Sequence, residues 1–303
     1  MQCICHIVIY KQLLLLTEGT FPLTADHQTP IPNTRMLMEE KEDYDLTIMS
    51  SLLSLTPTQF SHLTHSLSSE LLLRRHRLHL LLSSPPLFSS ALRHIDSLSL
   101  PDKSALLARL LLRSLRLLAL DPLTTTPARC LRDLDAGLLL LAMCDAHGGS
   151  GAGAGDWRAR VADHVTRADL LGPWGLGAGP WAVVGPHVDS AVKCRRLLRA
   201  ANGGKAGREA AASVAVVVAL PSVEGLGSEE CSVCREEMGR GRSVCGLPCK
   251  HAFHWGCILP WLEKKNTCPC CRLELPSDDV FCEIGRLWRV LMRRGNSTTG
   301  SDR

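Results

Sequence analysis

Eight residues between Cys231 and Cys271 limit what this chain can fold into more than any other feature. They are Cys231, Cys234, Cys249, His251, His254, Cys257, Cys268 and Cys271. A Cys-x2-Cys pair opens the set, a second closes it, and Cys-x-His-x2-His-x2-Cys lies between. Zinc takes four thiolate or imidazole ligands in a tetrahedron, at about 2.3 Å for sulfur and about 2.0–2.1 Å for nitrogen. A two-residue gap lets one tight turn aim both ligands at one ion. Eight ligands complete two sites and leave no open position for water or substrate, so the ions read as structural. A stretch of roughly forty residues cannot bury enough apolar surface to fold alone, and a metal staple supplies the difference. Spacing alone leaves two wirings open. The pairs can serve the ions in chain order, or the first and third pairs can share one ion while the second and fourth share the other.

The spacing, the Cys/His order and the ending Cys268-Pro269-Cys270-Cys271-Arg272 resemble a RING-H2 finger, the zinc module of many ubiquitin ligases. The resemblance implies interleaved wiring: Cys231, Cys234, His254 and Cys257 on one zinc, Cys249, His251, Cys268 and Cys271 on the other. Cys245 and Cys270 stand outside the pattern, and Cys271 is preferred over Cys270 because it keeps the two-residue gap and precedes Arg272. The resemblance also implies a docking face for a ubiquitin-charged conjugating enzyme, with Val233, Trp261 and Pro269 as apolar contacts. It assigns Arg272 the bridge between that enzyme and ubiquitin, a task that suits the planar fork of a guanidinium. The implied chemistry is aminolysis of a thioester by a substrate lysine, promoted by orientation, with no nucleophile on this chain. The alternative is a zinc-stabilised adaptor with no catalytic effect. A histone-tail module of the PHD kind would place an aromatic residue at position 266, where Asn266 stands.

Composition narrows the rest. Hydrophobic residues make up 45% of the chain but aromatics only 4%, so leucine carries the apolar load and helix is favoured over sheet. A net charge of +4, without a basic run interleaved with aromatics, gives no nucleic-acid footprint. Thiolate ligands need a reducing compartment, which implies cytosol or nucleus, not secretion. The apolar run Cys3–Leu16 is too short and too interrupted to span a membrane and lacks the flanks of a signal peptide.

The expected fold is mainly α: a bundle-like helical domain, a small two-zinc RING-type ββα module and a C-terminal helix. Residues 1–37 read as a disordered or non-native extension. Residues 45–147 read as the helical domain. Thr56-Pro57-Thr58-Gln59 is a capping box with proline at the first helical position. Ser83-Ser84-Pro85-Pro86 breaks one helix and starts the next. In the third, Leu106, Leu107, Leu110, Leu111, Leu115 and Leu118 face inward while Arg109, Arg113 and Arg116 face water. Arg74-Arg75-His76-Arg77 reads as a solvated helix face, and His62, His65, His76 and His79 as solvated side chains. Residues 148–156 form a Gly/Ala linker. Residues 157–224 hold two helices, with Val192, Leu197 and Leu198 inward and Lys193, Arg195, Arg196 and Arg199 outward. Ser213–Leu220 reads as a short strand or buried run. The finger occupies 227–276. Ser277 caps a final amphipathic helix over 277–292, whose stripe of Val280, Phe281, Ile284, Leu287, Trp288 and Leu291 packs against the protein, and a disordered tail follows over 293–303.

Tyr44–Ser69, Ser97–Leu107, Arg132–Ala136 and Val280–Leu291 are similar to plant amyloplast-associated RING ligases of shoot gravitropism. This resemblance implies peripheral attachment to the plastid, on its cytosol-facing outer surface, through the helical domain. The partners it implies are a ubiquitin-conjugating enzyme, ubiquitin and a protein substrate.

Overall fold

The computed structural model describes residues 46–123, 130–147, 157–171, 180–202, 210–223, 229–239 and 243–299. The expected extension over 1–37, the linker over 148–156 and the last four residues lie outside the described residues. Two compact units divide the chain: one takes Met1–Leu120, Ala128–Gly204 and Trp288–Arg303, the other Asp121–Pro127 and Lys205–Leu287.

The first unit is helical. Its described elements are α1 (residues 46–53), α2 (Pro57–Ser83), α3 (Pro85–Ser97), α4 (Leu100–Ala119), α5 (Leu131–His147), α6 (Trp157–Leu171) and α7 (Trp181–Asn202). The second half of α10 (Val280–Thr299) also belongs to it. The predicted capping box is present. The Thr56 hydroxyl accepts from the Gln59 N–H, and the Gln59 side chain accepts from the Thr56 N–H at 3.0 Å. Pro85 starts α3 directly after α2 ends at Ser83. The central element is α4, packed on α7 and α5, and all six of its predicted inward leucines are buried.

The basic run on α2 differs from the solvated face expected of it. Arg74 is buried, and its Nε donates to Glu70 at 2.9 Å while its Nη2 donates to the Leu110 carbonyl at 3.1 Å. Arg113 of α4, expected in water, closes on the same carboxylate with two bonds of 2.8 and 2.7 Å. Burial raises the Glu70 pKa, but hydrogen bonds and charge from Arg113 and Arg74 outweigh it and hold the carboxyl below its usual range. Arg77 makes a fork-to-fork pair with Asp135 of α5 at 2.9 and 2.5 Å. Lys193 likewise turns inward, 3.1 Å from Asp145 and 3.1 Å from Asp189. Arg75, His76, His62, His65 and His79 are exposed, as expected. The reason for the difference is long-range: Arg77, Arg113 and Lys193 meet carboxylates from other helices, Arg74 pairs with Glu70 of its own helix under the Leu110 carbonyl of α4, and a charge loses less solvation when it is paired.

His187 of α7 sits in this core at 1% exposure. Its Nδ1 lies 2.9 Å from the Ser114 hydroxyl and its Nε2 lies 3.0 Å from the Leu67 carbonyl. The carbonyl can only accept, so Nε2 carries the proton and Nδ1 accepts from Ser114. Burial and the charge of Arg74 push the imidazole down to about 4.

The expected disordered tail is instead helix as far as Thr299. Arg294 donates to the carbonyls of Leu118 and Ala119, the last of α4, where Leu120 turns left-handed with φ 45°. A guanidinium there satisfies orphan carbonyls and meets the negative helix end. The Gly295 carbonyl accepts from Ser50 at 3.1 Å, and a Cβ on Gly295 would stand 3.2 Å from Ser50 Oγ.

The second unit carries a three-stranded antiparallel sheet, β1 (Ser222–Val223), β2 (Val244–Gly246) and β3 (Ala252–His254), in that order. The register pairs Cys245 with Phe253 and Val223 with Val244. Two further elements are α8 (Val214–Ala219) and α9 (Trp255–Leu262). Phe253, Ile258, Leu262, Leu275, Leu247 and Met238 form its core, joined by Ala212, Val216 and Leu220. The predicted ββα arrangement is β2, β3 and α9. The stretch read as a strand or buried run, Ser213–Leu220, forms α8. Its β-branched residues favour a strand, but tertiary partners override that preference. Asp278 accepts from the Ser213 hydroxyl at 2.8 Å and from the Val214 N–H at 3.2 Å, which supplies the helix start. The cap of α10 also shifts by two residues. Asp279 accepts from the Cys282 N–H at 2.8 Å, while the Ser277 hydroxyl donates to the Ala211 carbonyl. Within this unit Glu283 and Arg286 are buried, and Arg286 bonds Glu283 at 2.8 Å and also Asp121.

Candidate metal centres

Two copies of one backbone turn present the outer ligand pairs. In the first, the Cys231 N–H donates to the Glu236 carbonyl at 2.9 Å and the Arg235 N–H donates to the Cys231 carbonyl at 2.7 Å. In the second, the Cys268 N–H donates to the Leu273 carbonyl at 2.9 Å and the Arg272 N–H donates to the Cys268 carbonyl at 2.9 Å. Each turn closes with an antiparallel bridge, Glu230 to Glu237 and Thr267 to Glu274. Arg235 and Arg272 hold matching left-handed backbone, φ 60° and 59°, one residue past a cysteine. Lys250, directly after Cys249, has φ 68°. All three reverse the chain immediately behind a thiol, which leaves the sulfur pointing inward, at the steric cost a side chain bears in that region.

The inner ligands come from the hairpin and the helix. Leu247, Cys249 and His251 lie on the β2–β3 turn, where the Leu247 N–H donates to the His251 carbonyl at 2.9 Å. His254 ends β3, and Cys257 lies on the first turn of α9. The hairpin returns His251 and His254 to opposite sides, so the ligands divide into two interleaved groups. Cys231, Cys234, His254 and Cys257 bring their ligand atoms within 4.8 Å of one another, and so do Cys249, His251, Cys268 and Cys271.

The donor geometry fits zinc. A tetrahedral ion with the bond lengths given above sets neighbouring ligand atoms about 3.5–3.8 Å apart. Cys234 Sγ lies 3.3 Å from His254 Nδ1, and His251 Nδ1 lies 3.3 Å from Cys249 Sγ and 3.7 Å from Cys268 Sγ. Sulfurs this close disturb one another. Burial opposes ionisation of Cys231, but backbone N–H groups of Cys234, His254 and Val233 outweigh it and bring the thiol down to about 6. Burial, with the neighbouring Cys234 and Cys231 sulfurs, pushes Cys257 up to about 12. A divalent cation at the centre is what lets all these sulfurs carry charge together.

The adjacent cysteines differ in their surroundings. Cys271 joins the second group, whereas Cys270 is exposed with its Sγ 3.0 Å from the Ser232 hydroxyl. Cys245 is buried on β2 in the apolar core, where burial pushes its thiol up to about 11.

The residues assigned to docking lie at the edges of the two centres. Val233 is 43% exposed on the first turn. Leu259 of α9, which the resemblance does not assign, is 36% exposed. Trp261 is half-buried; its Nε1 donates to the Thr267 carbonyl at 2.7 Å and Lys265 Nζ stands 5.3 Å from its ring centre. Pro269 is half-buried and Arg272 exposed. Two contributors escaped the sequence reading. Asn266 is buried; its side chain donates to the Leu275 carbonyl at 2.7 Å, and its own carbonyl accepts from the Leu275 N–H at 2.6 Å. Residues 210–223, which carry no ligand, supply α8 and β1 to the same unit.

Comparison with known proteins bears on the same region and beyond it. The Ring finger domain family matches residues 229–272. An Arabidopsis thaliana protein named E3 ubiquitin-protein ligase SGR9, amyloplastic, is 42% identical over 275 residues, which cover 83% of this chain and 97% of that relative. E3 ubiquitin-protein ligase RNF181 of Danio rerio is 51% identical over 71 residues, 23% of this chain and 45% of its own length. E3 ubiquitin-protein ligase RING1-like of Arabidopsis thaliana is 50% identical over 74 residues, 22% of this chain and 23% of its own. No solved structure matches.

Proposed function

Because the chain belongs to the RING-type E3 ubiquitin-protein ligases, we propose that its zinc-held surface docks a ubiquitin-charged conjugating enzyme and promotes transfer of ubiquitin to a substrate lysine. The ligands in this reading are Cys231, Cys234, His254 and Cys257 for one zinc, and Cys249, His251, Cys268 and Cys271 for the other. Bound zinc supplies cross-linking and charge, and with four protein ligands each it takes no part in the chemistry. Val233, Leu259, Trp261 and Pro269 form the apolar contact. Small interfaces draw their affinity from a few aromatic and apolar anchors, and Trp261 has its ring held in place by the Thr267 carbonyl.

Arg272 bridges the enzyme and its ubiquitin. Restricting that flexible conjugate to a reactive pose accelerates attack by the lysine, because orientation is the entropy the bimolecular step otherwise loses. No covalent ubiquitin forms on this chain. The observation that carries the reading is the pairing of two closed four-ligand groups with exposed apolar residues beside them.

The place of action is proposed from the relative that matches almost end to end and whose name reads amyloplastic. Amyloplasts in gravitropic tissue are the setting, with the helical domain holding the protein on the cytosol-facing plastid surface. No helix among the described residues is long and apolar enough to cross a membrane, so peripheral attachment by those helices is the mode proposed.

The test is single-turnover discharge of ubiquitin from a charged conjugating enzyme by the full chain. Trp261→Ala and Arg272→Ala should each slow it at least about tenfold. Discharge at the uncatalysed rate by the wild type, with zinc bound, would leave an adaptor in place of a ligase. Protection of the whole chain from protease added to intact plastids would refute the outer-surface placement.

A further inference from the structure

The helix α9, which carries Leu259 and Trp261, is gripped at both ends by a segment outside the matched family region. At its start, Trp255 Nε1 donates to the Ser222 hydroxyl at 3.0 Å. At its end, the Leu262 carbonyl accepts from the Ala212 N–H at 2.9 Å. That carbonyl is one of the orphans every helix leaves at its C-terminus. Eight residues of helix span about 12 Å, so these two contacts cover its full length.

The same segment is itself anchored. The Ser213 N–H donates to the Pro276 carbonyl at 2.8 Å, the Ser277 hydroxyl donates to the Ala211 carbonyl at 2.8 Å, and Asp278 holds Ser213 and Val214. Ala212, Val216 and Leu220 are buried in the core that also holds Ile258 and Leu262. The Gly246 N–H donates to the Pro221 carbonyl at 3.1 Å, and β1 continues from there along β2.

We propose that residues 210–223 are a positioning arm for docking, which fixes α9 at both ends so that Leu259 and Trp261 meet the charged conjugating enzyme in one pose. Ser213 and Asp278 are its positioning residues. The arm rests on the docking reading above and adds that the working finger begins near residue 210. Its effect falls on recognition: a loosened α9 offers the same contacts at a greater entropic cost of binding, while the chemistry after docking is untouched.

The test measures multiple-turnover discharge by full-length Ser213→Ala, Asp278→Ala, the double variant and Ser213→Thr, with zinc counted in each. The expected result is a KM for the charged enzyme raised about five- to tenfold in either alanine variant, kcat within about twofold, and two zinc ions retained. The double variant should match Asp278→Ala, which already removes the Ser213 contact together with that to the Val214 N–H. Ser213→Thr, which keeps the hydroxyl, should restore KM. An unchanged KM in both alanine variants overturns the arm's role, and so does zinc lost in step with activity, which would make the contact structural only. Trp261→Ala, run beside them, separates the two claims. If it raises KM and the arm variants do not, the arm alone fails; if it too is silent, the docking face fails with it.

Discussion

Ser232 Oγ and Cys270 Sγ lie 3.0 Å apart, so the tips of the two cysteine turns touch. Val233 follows one of these residues and Pro269 precedes the other, which makes this contact a spacer between two residues of the proposed docking face. Cys270→Ala removes it, whereas Cys270→Ser keeps a hydroxyl in its place. The expected loss in affinity for a charged conjugating enzyme is about fivefold for alanine, equivalent to one exposed hydrogen bond, and less for serine. Titration calorimetry of the two variants checks the difference.

Zinc stoichiometry tests the register of the last turn. Cys271→Ser should lower the count from two ions per chain to one or fewer, because it removes a ligand from a closed four-ligand site. Cys270→Ser should leave two. Release by a mercurial with a colorimetric zinc indicator gives both numbers, and the opposite ranking would move the ligand to Cys270.

Acid should weaken the helical unit through His187. Its folded value is pushed down to about 4 from an ordinary 6.5, so the unfolded chain takes up a proton that the folded chain refuses. The stability this group contributes is complete above about pH 6.5 and is lost as pH falls toward 4, on the order of 3 kcal/mol in all. Compared with His187→Gln, the wild type should surrender about 2 kcal/mol more unfolding free energy between pH 7 and pH 4.5, most of that total. Urea titration of both proteins at the two pH values measures it, and parallel curves would show that the buried imidazole is not the cause.

Gly295 should resist any side chain. An added Cβ would meet Ser50 Oγ at 3.2 Å and Ser50 Cβ at 3.3 Å. Gly295→Ala should cost about 1–2 kcal/mol by overpacking, despite alanine's better helix propensity. Ser50→Gly in the same chain should recover part of the loss. Thermal unfolding of the single and double variants separates overpacking from propensity, because propensity alone would make the alanine variant more stable.

The metal centres were legible because their chemistry is local and spaced: a two-residue gap between thiols has few other uses, and Cys271 could be preferred over Cys270 by counting. The capping box at Thr56 and the proline break at Pro85 were legible for the same reason. Arg77, Arg113 and Lys193 differ from the sequence expectation because their partners, Asp135, Glu70 and Asp145, lie on other helices, and Arg74 because α4 covers its pair with Glu70 and accepts from it at the Leu110 carbonyl; a charge run shows nothing of what it will face. The α8 helix escaped because its start is capped by Asp278, some 64 residues away in the chain, whereas the sequence around it shows only β-branched residues. The final helix was ended too soon because Arg294 and Gly295 look like the start of a tail until the carbonyls of Leu118 and Ala119 and the Ser50 side chain are in place.

The interleaving of the two ligand groups has a consequence for how the ligase can be silenced. Each ion is bracketed by chain that serves the other, so no half of the finger survives as a working remnant. Oxidation or alkylation of any one of the ligand sulfurs therefore does not trim activity by degrees. It dismantles the whole platform, and the protein behaves as a fuse with six sulfurs at which to blow.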